Sequence, residues 1–201
     1  MKFVESEMRM NGVTSEINDE AYKEQGSQDL ILEKGEVDVT DPCYDKGTWC
    51  RESVPLAPGR YCVCTHVVDE GEWGVRVAAL EIRRADKQFA SVDLVRVGSV
   101  GVDAGLCGFF EDKPDYDDAA WDKFCDDLSA EEEAVGHYHG VHYTGEGAYS
   151  SSGYGDGEYD VMALKEYRTD EIVGLMLVFI APDEDEEEEE DDEDEDENEE
   201  E

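Results

Sequence analysis

Arg60-Tyr-Cys-Val-Cys-Thr-His-Val-Val68 and Trp73-Gly-Val-Arg-Val-Ala-Ala-Leu-Glu-Ile82 stand on either side of Asp69-Glu-Gly-Glu72. Both runs are rich in apolar and β-branched residues, and Asp-Glu-Gly is turn chemistry, so the stretch predicts two antiparallel strands across a tight turn. The same grammar extends outward. Residues 92–97, 99–103 and 106–110 read as further strands, and 158–167 and 171–180 read as a closing hairpin about Arg168-Thr169-Asp170. Leu30-Ile31-Leu32 and Val37-Asp38-Val39 flank Lys34-Gly35 and predict another hairpin, while 136–149 reads as a strand or a Gly-interrupted loop.

One segment carries helical spacing. Ala120, Trp121, Phe124, Cys125 and Leu128 recur on one helix face, and acids fill the preceding turn where they complement the helix dipole. A helix over 116–133 among eight or nine strands predicts an α+β, mainly β fold: a twisted antiparallel sheet or sandwich carrying one amphipathic helix. The domain organisation expected is a flexible arm over 1–28, a single β-rich domain over 29–182, and an acidic tail over 183–201 with no apolar residue to order it.

Charge narrows the function classes. The 201 residues hold 56 acids and 16 Lys or Arg, a formal net charge of −40. The last 19 residues contain 18 of the acids, yet the remainder still balances 38 acids against 16 bases, a net of −22. Such a surface repels phosphate backbones and anionic lipid, which argues against direct nucleic-acid or membrane binding. The longest apolar run, 172–181, is about half of the roughly 20 residues a spanning helix needs. The N-terminus has no continuous apolar stretch and acquires acids at once, so a cytoplasmic protein is expected, with its six cysteines reduced and mostly buried.

Four constellations offer chemistry. Thr40-Asp41-Pro42-Cys43-Tyr44 reads as a turn, since proline forces an extended residue before it. Nothing within this motif lowers the pKa of Cys43 to make it a nucleophile. Gly98-Ser-Val-Gly101-Val-Asp103-Ala-Gly105 lacks the spacing of either nucleotide-binding glycine loop, and reads as a hairpin turn at Ala104-Gly105 with Asp103 bonded to its backbone. Ser150 to Asp160 is Gly-rich. If it runs as a strand, Asp156, Glu158 and Asp160 share a face and offer Ca²⁺ three carboxylates, while Ser151 or Ser152 with His142 and Asp156 sketches a hydrolase. Lastly, Cys62, Cys64 and His66 alternate on one strand and His137, His139 and His142 cluster further on, both offering soft ligands to Zn²⁺.

Taken together, Thr40-Asp41-Pro42-Cys43-Tyr44, Val102-Asp103-Ala104-Gly105 and Ser152-Gly-Tyr-Gly155-Asp156-Gly157-Glu-Tyr159 resemble a family of uncharacterised small acidic bacterial and phage proteins with DPCY, VDxG and GDGxY motifs. The resemblance covers about 37–180. It implies a compact β-rich domain and no particular reaction, with Asp41, Cys43, Tyr44, Asp103, Gly105, Gly155, Asp156 and Gly157 as the motif residues to follow. The histidine segment and the acidic tail depart from that pattern.

The reading favoured is a non-enzymatic interaction protein whose acidic surface engages a basic protein, in the manner of an immunity protein, an inhibitor or a DNA mimic. The alternatives are a Ca²⁺- or Zn²⁺-binding protein, or a hydrolase using the Gly-rich loop 150–160. If the three motifs meet in space, a site there gains weight. Scattered turns would favour a diffuse surface.

Overall fold

A computed structural model describes the backbone of residues 8–10, 13–15, 23–45, 47–86, 91–111, 115–135, 142–143 and 147–181, and the side chains of 29–45, 47–86, 91–111, 115–126 and 147–181. The acidic tail, His137 and His139 lie outside the described residues, as does most of 1–22.

The elements are β1 (Met8–Met10), β2 (Val13–Ser15), β3 (Lys23–Leu32), β4 (Glu36–Thr40), β5 (Arg51–Pro55), β6 (Gly59–Asp69), β7 (Val75–Arg84), β8 (Val92–Val102), β9 (Leu106–Phe110), α1 (Asp118–Val135), β10 (His142–Tyr143), β11 (Gly147–Ser151), β12 (Gly157–Glu166) and β13 (Ile172–Val178). They form an eight-stranded sheet in the order β2-β1-β8-β12-β13-β7-β6-β3 and a five-stranded sheet in the order β10-β11-β9-β4-β5. All pairings are antiparallel except β1 with β8. The fold is therefore mainly β with a single α-helix among the described residues, besides one turn of 3-10 helix at Gly71–Trp73.

Strand alternation builds the layers. Val37, Val39 and Phe109 of the five-stranded sheet meet Val63, Ile82 and Leu175 of the larger one in a shared core. Each such side chain, fully removed from water, contributes roughly 1.5–3 kcal/mol. On the outer face of the smaller sheet, Leu106, Phe110 and Tyr149 pack against Phe124 of α1. Asp117 caps that helix, its carboxylate accepting from Ala120 N at 2.9 Å, which starts α1 at Asp118 rather than at Tyr116. Phe124 is buried there, while Ala120 and Trp121 stay exposed, so the apolar stripe meets the sheet along a narrower line than its spacing predicts.

The β6–β7 and β12–β13 hairpins form as expected. Residues 92–103 hold one strand rather than two: β8 is continuous, and a bulge at Val97 absorbs the break, with Val161 opposite Gly98 and Met162 opposite Arg96.

Two expected hairpins are instead passages between sheets. β3 pairs with β6 and β4 with β5 and β9, so Lys34-Gly35 turns a corner. Likewise β8 belongs to the large sheet and β9 to the small one, so Ala104-Gly105 is a crossing and not a hairpin turn. In both cases the flanking residues alternate into the same core from opposite sheets, a pattern that a hairpin would also produce.

Candidate functional site

The three motifs meet at one end of the sandwich, and Asp41 joins them. This fully buried carboxylate, just past β4, accepts three backbone N–H groups: Cys43 N on Oδ1 at 2.9 Å, and Asp103 N and Ala104 N on Oδ2 at 3.0 and 2.8 Å. The first bond is the local turn that Asp-Pro predicts. The other two bind the β4–β5 loop to the β8–β9 crossing, so Asp41, rather than Asp103, holds the backbone of that turn. The Asp103 carboxylate instead accepts the Tyr44 hydroxyl.

The Gly-rich turn docks on the same crossing. Ser152 N donates to Gly105 O at 3.0 Å, and Tyr159 Oη donates to Gly155 O at 2.8 Å. Gly105 and Gly155 have φ of 66° and 109°, a left-handed region where a side chain is strained, which explains glycine at both. Asp156 is exposed in this turn and Gly157 opens β12, paired with Val102. Cys43 is half-buried against the cluster under α1.

A fourth turn joins the row. Tyr154 Oη donates to Glu70 Oε2 at 2.5 Å, connecting the Gly-rich turn to the β6–β7 turn. Turns 41–50, 103–105, 152–157 and 69–74 thus form one continuous end surface. Together they hold seven acids and one base, Lys46. All but Asp41 of these acids reach the surface, and three large aromatics stand exposed among them: Trp49 at 63%, Trp73 at 71% and Tyr154 at 56%. Trp49 is held in place by Gly101, whose N–H donates to Trp49 O at 3.3 Å and whose missing side chain leaves the room that the indole ring occupies.

Two thiols at this site, Cys50 and Cys107, are buried and held protonated. Burial, then the charges of Asp41 and Asp103, pushes Cys50 up to about 11, and burial raises Cys107 in the same direction. The Tyr44 phenol is pushed up to about 12, chiefly by its hydrogen bond to Asp103. Moving the Cys50 thiol from 9.0 to about 11 lowers its thiolate fraction at pH 8 by about 100-fold. Iodoacetamide at pH 8 should therefore spare Cys50 and label the partly exposed Cys125, with Cys50 labelling rising only as pH approaches 11. Peptide mass mapping checks this, and equal labelling at pH 8 would contradict it.

The proposed carboxylate set is distributed otherwise. Glu158 and Asp160 do share a face of β12, but Glu158 accepts from Ser99 Oγ at 2.6 Å and Asp160 pairs with Arg96 at 2.6 Å, while Asp156 precedes the strand. Ser152 Oγ donates to Gly155 O at 2.8 Å and so serves the turn. The side chain of His142 lies outside the described residues.

Away from this end, β6 and β7 assemble a second group. Cys64 and His66 share the outer face of the large sheet, as their alternation predicts, and Glu81 stands opposite Cys64 on β7. Their ligand atoms all lie within 4.8 Å of one another. His66 Nε2 is 2.8 Å from Glu81 Oε2 and 3.9 Å from Cys64 Sγ, and Arg83 Nε approaches Glu81 Oε1 at 3.2 Å. Burial opposes the charge of Glu81, but the hydrogen bond to His66 and the charges of Arg83 and His66 outweigh it and hold its pKa below the ordinary value. Cys62 is not part of this group: its thiol reaches Asp29 Oδ1 at 3.8 Å.

Glu81 and the exposed trio Trp49, Trp73 and Tyr154 escape a reading from sequence, since an acid in an apolar strand and an aromatic in a turn each have an ordinary explanation. The signal available for Glu81 was register. Across Asp69-Glu-Gly-Glu72, a hairpin places it near Cys64. No protein-family model, curated protein or solved structure matches this chain.

Proposed function

We propose that this protein is a non-enzymatic binding module whose acidic, aromatic end surface engages a basic protein partner, as an immunity protein, an inhibitor or a DNA mimic does. The observation that carries the reading is the row of four hydrogen-bonded turns presenting Trp49, Trp73 and Tyr154 among six surface carboxylates. Carboxylates attract Lys and Arg and accelerate encounter. Aromatic faces bind the same cations through their ring quadrupole, and Trp and Tyr are enriched among residues that dominate interface energy. A partner with an arginine-rich surface, the kind that otherwise grips phosphate backbones, fits both features.

The framework beneath supports recognition without induced folding. Asp41 and the two left-handed glycines fix the turns from inside, so little ordering entropy remains to be lost on binding. The test uses an arginine-rich peptide as probe, with affinity measured by calorimetry for the native chain and for Trp49→Ala, Trp73→Ala and Tyr154→Ala. Each truncation should weaken binding, the strongest by about 30-fold, the size of a 2 kcal/mol hot spot. Unchanged affinity in all three variants would remove this end as the binding surface.

A further inference from the structure

We propose that Cys64 Sγ, His66 Nε2 and Glu81 Oε2 form a Zn²⁺ site on the outer face of the large sheet, separate from the end surface. The ligand chemistry is that of zinc: one thiolate, one imidazole and one carboxylate, three protein ligands with a fourth position left for water.

The geometry distinguishes this group from a catalytic relay. In a Cys–His–acid relay the histidine uses one ring nitrogen toward the thiol and the other toward the acid. Here the same atom, His66 Nε2, faces both Cys64 Sγ at 3.9 Å and Glu81 Oε2 at 2.8 Å. Three donor atoms thus converge on one point. Zinc bond lengths of about 2.0–2.3 Å in a tetrahedron put neighbouring ligand atoms roughly 3.3–3.6 Å apart; the two His66 distances, 3.9 and 2.8 Å, bracket that spacing, and the third pair lies within 4.8 Å.

The surroundings suit a metal. Cys64 is 4% and Glu81 1% exposed, while His66, at 17% side-chain exposure, is the path to solvent. Arg83 holds the second carboxylate oxygen of Glu81, Oε1, in an ion pair without hydrogen-bond geometry, which orients Oε2 inward as outer-shell partners of metal ligands do. All three ligands lie on two paired strands whose register, Cys64 opposite Glu81, is fixed by the hairpin. On binding, Zn²⁺ forms a bond to Cys64 Sγ as the thiol S–H breaks and its proton leaves to solvent, and a bond to His66 Nε2 as that nitrogen gives up the N–H it directs at Glu81, leaving the ring neutral with its proton on Nδ1. The metal staples β6 to β7.

The test takes the full chain, reduced and freed of metal, and titrates it with Co²⁺ as a spectroscopic stand-in and then with Zn²⁺. One equivalent of Co²⁺ should produce a thiolate-to-cobalt charge-transfer band and the visible bands of four-coordinate cobalt, both removed by one equivalent of Zn²⁺. The acidic tail contains no cysteine and cannot produce the thiolate band, whatever cations it attracts. Cys64→Ser should abolish the band and weaken Zn²⁺ by about 100-fold or more, while Cys62→Ser leaves both unchanged. Glu81→Gln gives a second reading that keeps the thiol, with the band present and affinity lowered. Absence of a thiolate band in the native chain at saturating Co²⁺, or its survival in Cys64→Ser, would overturn the site.

Discussion

Asp41→Ala should destabilise the protein by about 3–5 kcal/mol, because it strands three backbone donors, Cys43 N, Asp103 N and Ala104 N, in a site that excludes water. At roughly 2–4 °C per kcal/mol for a chain of this length, the Tm falls by about 10 °C. Asp41→Asn should cost less, about 1–3 kcal/mol. Its amide can turn one oxygen toward Asp103 and Ala104, but its NH₂ group then opposes the Cys43 N–H, so one donor is lost and not three. The order Ala below Asn below native, measured by urea unfolding, is the signature of a carboxylate working through its acceptor atoms. Two variants of equal, small effect would mean that the loops are held by other contacts. Asp41→Ala should also weaken binding of the arginine-rich probe, since Trp49 sits at the end of the loop that it releases.

The second large effect belongs to Arg51. Its Nη2 lies 2.5 Å from Asp38 Oδ2 across the β4–β5 pair, both residues are buried, and Nη1 reaches Asp115 beside α1 at 3.5 Å. Arg51→Met leaves Asp38 buried without its cation, its Oδ1 still accepting from the Ser53 hydroxyl at 2.7 Å. Breaking one side of a buried pair costs about 3–5 kcal/mol, largely from the charge left behind. Replacing both sides together, as in Arg51→Met with Asp38→Leu, should recover most of that loss. A double-mutant cycle on unfolding free energies therefore gives a coupling of several kcal/mol, and simple additivity would contradict the assignment.

How far these features were legible follows from their range along the chain. The β6–β7 and β12–β13 hairpins declared themselves through β-branched runs and turn residues, and β9 through its short apolar run, all local signals. The Leu32–Glu36 and Val102–Leu106 crossings did not, because inward alternation looks the same whether the next strand pairs with the last or faces it across the core. Asp41 was recognisable as a turn residue before Pro42, but its partners at 103 and 104 lie far along the chain and only topology unites them. Glu81 was hidden for a related reason: its meaning depends on the residue across the strand. Alternation marked Cys64 and His66, and pairing supplied the third member. The Asp38–Arg51 pair likewise depends on the β4–β5 register, which sets Asp38 against Ser53 and Thr40 against Arg51.

Charge was legible as a total and not as a pattern. Composition gave −40, with 18 of the acids in the last 19 residues, and it could not say whether the domain or the tail recognises a partner. The structure places acids and aromatics together on four turns. No described helix is long and apolar enough to cross a membrane.

Binding by the end surface is decided by the affinity of the arginine-rich probe at low and at high salt for the full chain, for the chain ending at Ala181, and for the Trp49→Ala/Trp73→Ala/Tyr154→Ala triple variant. The chain without the tail should retain specific, salt-weakened binding, and the triple variant should lose it even with the tail present. Binding that disappears with the tail and is untouched by the three aromatic truncations would contradict this expectation, and would assign recognition to the tail's charge alone.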